Sequence, residues 1–247
     1  MSPILERIGT RLAEYLTAEP KGAQPTVVAG REARWWNYIQ PGDVLLVEGT
    51  ARISTAIKYL TQSTWSHAVL CVGDAAPHPL VEADVVDGVI SVPFEKYHKA
   101  NVRICRPIGL RDYDRERLVR FAVRRLGHQY DLKNVLDLAR YLLPRPPVSM
   151  RMRRHMLGLG SGDPTRAICS TLIAEAFSSI PYPIIPNVPE GLDPHADELY
   201  YEIRHHSTFT PRDFDLSPYF SVVKPTIEHQ FDYEKFPWQQ VIWLIQN

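Results

Sequence analysis

RAICSTLIAEAFSSI, residues 166–180, places one cysteine at the start of an apolar stretch with helical spacing. Leu172, Ile173, Ala176, Phe177 and Ile180 share a helical face with Cys169, so the thiol points inward from the first turn. Unpaired backbone N–H groups and the positive end of the helix dipole favour a thiolate there and offer donors to a developing oxyanion. Lone cysteines are more often small core hydrophobes. Cys169 therefore has two readings, packing and nucleophile, and the residues around it in the chain must separate them.

A nucleophilic cysteine needs a base. His67, in TWSHAVLCVG, lies on an apolar strand pattern, and strict alternation gives it the same face as Trp65, Val69 and Cys71. A buried imidazole must find a partner, whether as a base or as a satisfied core histidine. Glu82, in HPLVEADVVDG, falls on the next strand within cross-strand reach, where a carboxylate can hold one ring nitrogen and turn the other toward sulfur. Asp84 has the same parity and competes with it, and a solvent-facing role for Glu82 is the third reading. His155, His195, His205 and His206 sit in loop-like contexts. The spacing of His205, His206 and His229 matches no familiar ligand pattern, so neither a metal nor a cofactor is expected.

The chain has 247 residues, 45% of them hydrophobic and 23% charged, which suits one domain with embellishments. Lys+Arg and Asp+Glu both number 28, so nothing in the charge calls for nucleic acid. Cys71, Cys105 and Cys169 form no CxxC and no paired framework, which favours a reducing compartment. Ile4, Leu5, Ile8, Leu12, Tyr15 and Leu16 give residues 1–30 an amphipathic helix and a linker without a secretory pattern. A cytoplasmic protein is expected, with peripheral membrane contact left open.

The main domain, 31–223, opens at QPGDVLLVEG as a strand, followed by a short helix at ISTAIKYLTQ. SHAVLCVG, PLVEADVVDGVISV with a turn at Asp87-Gly88, and NVRICRP continue as an antiparallel meander. Two helical patterns between Asp114 and Leu143 are broken near Gly127. Residues 144–163 form a Pro/Gly-rich insertion with Arg145, Arg151, Arg153 and Arg154. TFTPRDFDLSPYFSVV gives turn-like segments and a last strand, and the tail 224–247 is aromatic.

Taken together, PGDVLLVEG, WSHAVLCVG, LVEADVVDGV, YDLKNVLDLAR, CSTLIAEAF and FTPRDFDLSPYF resemble the circularly permuted branch of NlpC-type papain-like cysteine hydrolases, the YiiX/YebB-like family. The resemblance runs from about Gln40 to Val223, with histidine before cysteine, the reverse of papain order. It implies an α+β fold in which an antiparallel sheet or half-barrel packs against the cysteine helix. It further implies Cys169 as nucleophile, His67 as general base and then acid, Glu82 orienting His67, and Tyr130 lining the site, with Trp65 and Ser66 beside it in substrate binding. The expected substrate is small and peptide-like or acylated. Relatives divide between amide hydrolysis and lipid acyl hydrolysis or transfer, and the fold does not choose. Membrane contact, if any, falls to the N-terminal helix or the Arg-rich insertion, and a non-catalytic binding module is the reading from a different class.

Overall fold

The structure is a computed structural model that describes residues 34–84, 86–129, 168–186 and 205–224, with Tyr15, Ala18 and Glu19 of the N-terminal segment. Tyr130, the second helical pattern up to Leu143, the insertion at 144–163, the rest of the expected N-terminal helix and the tail beyond residue 224 lie outside the described residues.

Six strands form one antiparallel sheet: β1 Val44–Glu48, β2 His67–Cys71, β3 Leu80–Asp84, β4 Gly88–Val92, β5 Asn101–Pro107 and β6 Phe220–Val223. Their spatial order is β4-β3-β2-β1-β5-β6, so the meander expected from short connections holds and the late strand β6 joins beside β5. Four helices accompany it among the described residues: α1 Arg52–Thr61, α2 Asp112–Arg124, α3 Ile168–Ser178 and α4 Pro211–Leu216. The class is α+β.

The three central strands are apolar on both sides because both sides are covered. Val44, Leu46, Ala68, Leu70, Val81 and Ala83 pack with α2 and α3, and Leu45, Val47, Val69, Leu80 and Ile104 pack with Trp35 and Tyr97. α3 is the central helix: Leu172, Ile173, Ala174, Ala176 and Phe177 are fully buried. Ser170, also fully buried, donates through Oγ to the Phe209 carbonyl (2.7 Å), which satisfies the one hydroxyl in that wall. Phe177 meets Phe220 and Phe214 at ring distances of 5.2 and 6.3 Å, tying the 205–224 segment around α3.

Two sequence expectations change here. The stretch TFTPRDFDLSPYF holds a real helix, α4, started by Thr210, whose N–H donates to Asp213 Oδ2 (2.7 Å), with Pro211 at its first position. Trp65 does not share the face of Val69 and Cys71. It precedes β2, and strict alternation applies only within the pleat, so its ring packs in the opposite layer with Ala68 and Leu70.

The β3–β4 hairpin turns at Asp84, whose Oδ1 accepts the N–H groups of Val86 (2.7 Å) and Asp87 (3.0 Å). Gly88 follows with φ +75°, and a Cβ there would sit 2.4 Å from the His128 carbonyl oxygen. That carbonyl accepts the Val89 N–H at 2.9 Å, fastening the hairpin to the chain after α2. Gly109, at φ +68°, has nothing within 4 Å of the point a Cβ would occupy. Gly109→Ala should therefore cost only the left-handed backbone penalty of about 1–2 kcal/mol. Gly88→Ala should cost clearly more, measured as unfolding free energies in urea.

Candidate functional site

β2 and β3 run antiparallel in the register Leu70↔Val81 and Cys71↔Leu80. Continued along the strands, that register sets Glu82 across from Val69, one diagonal step from His67 on the same face, within reach of long side chains. His67 Nε2 lies 3.3 Å from Glu82 Oε2. Asp84, the competing carboxylate, is occupied by the hairpin turn.

Glu82 is 1% exposed and has three cationic or hydroxyl neighbours. Oε1 accepts from Lys96 Nζ, and Oε2 accepts from the Tyr97 hydroxyl as well as facing His67. Burial pushes the Glu82 carboxyl up, but the His67 hydrogen bond and charge and then Lys96 outweigh it and hold the group down at about 2. Tyr97, itself buried beside this carboxylate, is pushed upward and stays a neutral donor.

Lys96 and Tyr97 are the residues sequence reasoning missed. They come from the single 3-10 turn Phe94–Tyr97 between β4 and β5, which has no periodic signature. The only hint in the sequence is a pair of donors placed just after a strand that pairs with the one carrying Glu82.

α3 brings its first turn, and with it Cys169, to His67 at the start of β2, where the imidazole is not sealed in either layer and stays 23% exposed. Burial works to lower the His67 pKa. The charge and hydrogen bond of the Cys169 sulfur, followed by those of Glu82, override it and raise His67 to about 10. With Nε2 engaged by Glu82, Nδ1 is the ring nitrogen left for sulfur. Cys169, His67 and Glu82 thus form one continuous line from helix to sheet.

The other two cysteines differ. Cys71 and Cys105 are buried inside the sheet, and burial pushes both thiols up to about 12. Trp65 and Ser66, expected to touch substrate, are buried with their polar groups engaged within the protein. The Trp65 indole N–H donates to Asp215 (3.1 Å), and Ser66 Oγ accepts the Gly49 N–H (2.9 Å). Their position supports the start of β2 beneath His67. Among the described residues, no three His, Cys, Asp or Glu side chains converge so as to hold a metal ion, and no helix is long and apolar enough to cross a membrane.

The imidazole and Glu82 titrate as partners, which sets the direction of two pH effects. His67, raised from 6.5 to about 10, contributes stability fully below about 6.5 and loses it as pH climbs through 10. Glu82, lowered from 4.5 to about 2, contributes stability above 4.5 and loses it as pH falls through 2. An NMR titration of His67 should show protonation persisting into the alkaline range, and Glu82→Gln or Cys169→Ala should each move the midpoint down. A wild-type midpoint at the ordinary value near 6.5 would show that the network does not hold.

Residues 38–141 match the family described as "Permuted papain-like amidase enzyme, YaeF/YiiX, C92 family". The matched segment contains His67 and Glu82 and ends before Cys169. The chain also resembles the crystal structure of metalloprotein yiiX from Escherichia coli O157:H7, at 14% identity and TM-score 0.45, over 75% of this chain and 96% of that one. No curated protein matches the sequence. Over residues 38–141, then, the chain is similar to the permuted papain-like amidases of the YaeF/YiiX type.

Proposed function

We propose that this chain is a cysteine-dependent amidase in which Cys169 is the nucleophile, His67 the general acid and base, and Glu82 the group that holds His67. The observation that carries the reading is the contact of Cys169 with an imidazole whose far nitrogen is fixed 3.3 Å from a buried carboxylate. Triads are defined by geometry and roles, so the order His, Glu, Cys along the chain leaves the chemistry intact.

A His67 raised to about 10 is an imidazolium at neutral pH, the partner that a thiolate nucleophile requires. The sulfur lone pair attacks the substrate carbonyl carbon, forming a C–S bond, while the carbonyl π electrons move to oxygen. The Cys169 backbone N–H, in the first turn of α3, is the natural donor to that oxyanion. On collapse the C–N bond breaks and His67 gives its proton to the leaving amine. Water, deprotonated by His67, then attacks the thioester, the C–S bond breaks, and the carboxylic acid leaves with the thiolate restored. An ester or thioester enters the same sequence with an alcohol or thiol as leaving group.

Lys96 and Tyr97 act through Glu82. They keep a buried carboxylate ionised, and an ionised carboxylate favours the imidazolium that pairs with sulfur.

At neutral pH, iodoacetamide should alkylate Cys169 and spare Cys71 and Cys105, whose thiols are pushed up to about 12. Intact mass after incubation with activated amides and esters should show an acyl adduct that Cys169→Ala abolishes. His67→Ala should reduce turnover by roughly 10²- to 10⁴-fold. Equal labelling of the three cysteines, or turnover retained in Cys169→Ala, would sink the assignment.

A further inference from the structure

The chain as a whole is neutral, with 28 basic and 28 acidic residues, yet α2 gathers arginines on one side. Arg117, Arg120 and Arg124 follow one another at helical spacing and so share a face. Together with Arg125, Phe121 and Ser179 they line a cavity of about 380 Å³, within the size range of small-ligand sites. The lining carries four guanidinium groups and no carboxylate.

The four arginines are not equivalent. Arg117 donates to the Ser179 carbonyl at 3.1 Å, just past the end of α3. Arg125 pairs with Glu175 at 3.4 Å and lies 4.7 Å over the Phe121 ring. Both are held in place by neighbouring elements. Arg120 has only a 4.0 Å contact with Glu116, both side chains well exposed, an arrangement worth little. Arg124 has no ion-pair partner among the described residues. The cavity therefore combines two fixed guanidinium groups with two uncommitted ones. Its position is far from the thiol: Ser179 lies one helix length from Cys169, roughly 15 Å at 1.5 Å per residue.

We propose that this cavity binds a phosphate monoester, as a site separate from Cys169. Several forked donors lining one cavity suit a compact dianion with three free oxygens better than a single planar carboxylate. The phosphate can belong to a soluble metabolite or to a lipid headgroup, and the chemistry of recognition is the same.

The test uses the full chain with two probes: phenyl phosphate by calorimetry, and flotation with phosphatidylcholine vesicles containing phosphatidic acid, both at low salt. Saturable binding of at least one probe is expected, weakening as salt is raised. Arg120→Glu with Arg124→Glu should weaken it tenfold or more. Lys99→Glu with Lys224→Glu changes net charge equally away from the cavity and should leave binding within about twofold, the span of a surface charge acting at a distance. Should the glutamate pair fail to fold, Arg120→Gln with Arg124→Gln, which removes charge without reversing it, should still lose at least fivefold. Binding of phenyl phosphate assigns a soluble ligand, and binding of vesicles alone assigns the headgroup. The proposal is overturned if neither probe binds saturably, or if the two lysine substitutions weaken binding as much as the arginine substitutions do.

Discussion

The structure around the site depends on one buried charge. Glu82 is 1% exposed within a sheet whose neighbouring positions are Leu80, Val69 and Ile90. Taking a carboxylate out of water costs several kcal/mol, so its position is tolerable only with donors arranged around it. Those donors come from separate stretches of chain, His67 from β2 and Lys96 and Tyr97 from the turn before β5. Apolar side chains of similar size would fill the same space at lower cost, and buried ion pairs are weak evidence of stability. What this arrangement supplies instead is a fixed direction for the imidazole, because Nε2 cannot turn from Glu82 without leaving the carboxylate short of a partner.

The three cysteines show how surroundings, not residue type, decide reactivity. All are buried. Cys71 and Cys105 are enclosed by apolar strands, where burial outweighs the Gly73 hydrogen bond and Arg106 charge at Cys71 and the Arg103 charge at Cys105. Cys169 is buried to a similar degree but sits at the first turn of α3 against an imidazole. Its location is set by packing remote from the sulfur. Phe177, two turns along, is locked among Phe214, Phe220 and Tyr182, and Ser170 is fixed by its bond to the Phe209 carbonyl. A core that holds α3 this tightly delivers Cys169 to the same place each time, which the proposed pairing with a base requires.

Much of this is legible from the chain alone, for a physical reason. Strand and helix periods mark β1, β2, β3 and α3, and the few polar or reactive residues interrupting those apolar runs, His67, Glu82 and Cys169, are conspicuous because burial there demands compensation. Lys96 and Tyr97 are not legible, since a short 3-10 turn has no period and their partner lies 14 and 15 residues away in sequence. Trp65 falls on the wrong side of the sheet when alternation is extended past the first paired residue of β2. α4 carries its own signal, Thr210 followed by Pro211 and Asp213, but a helix of 6 residues is too short for an apolar period to register.

α3 also separates two kinds of chemistry by its own polarity. Its N-terminal turn, the positive end of the helix dipole, carries the sulfur and favours negative charge there. Its far end exposes carbonyl oxygens, and Arg117 answers one of them at Ser179 while Arg125 pairs with Glu175 a turn earlier. Cations belong at that end whether or not anything else binds, so Arg117 and Arg125 have a sufficient structural reason to be where they are. Arg124, in the last turn of α2, stands at that helix's own carbonyl end, whereas Arg120 lines the cavity from mid-helix and satisfies no helix end. Within a neutral chain, like charges held together without such a reason cost repulsion. Two fixed guanidinium groups brought beside two uncommitted ones are an arrangement that an arriving dianion relieves.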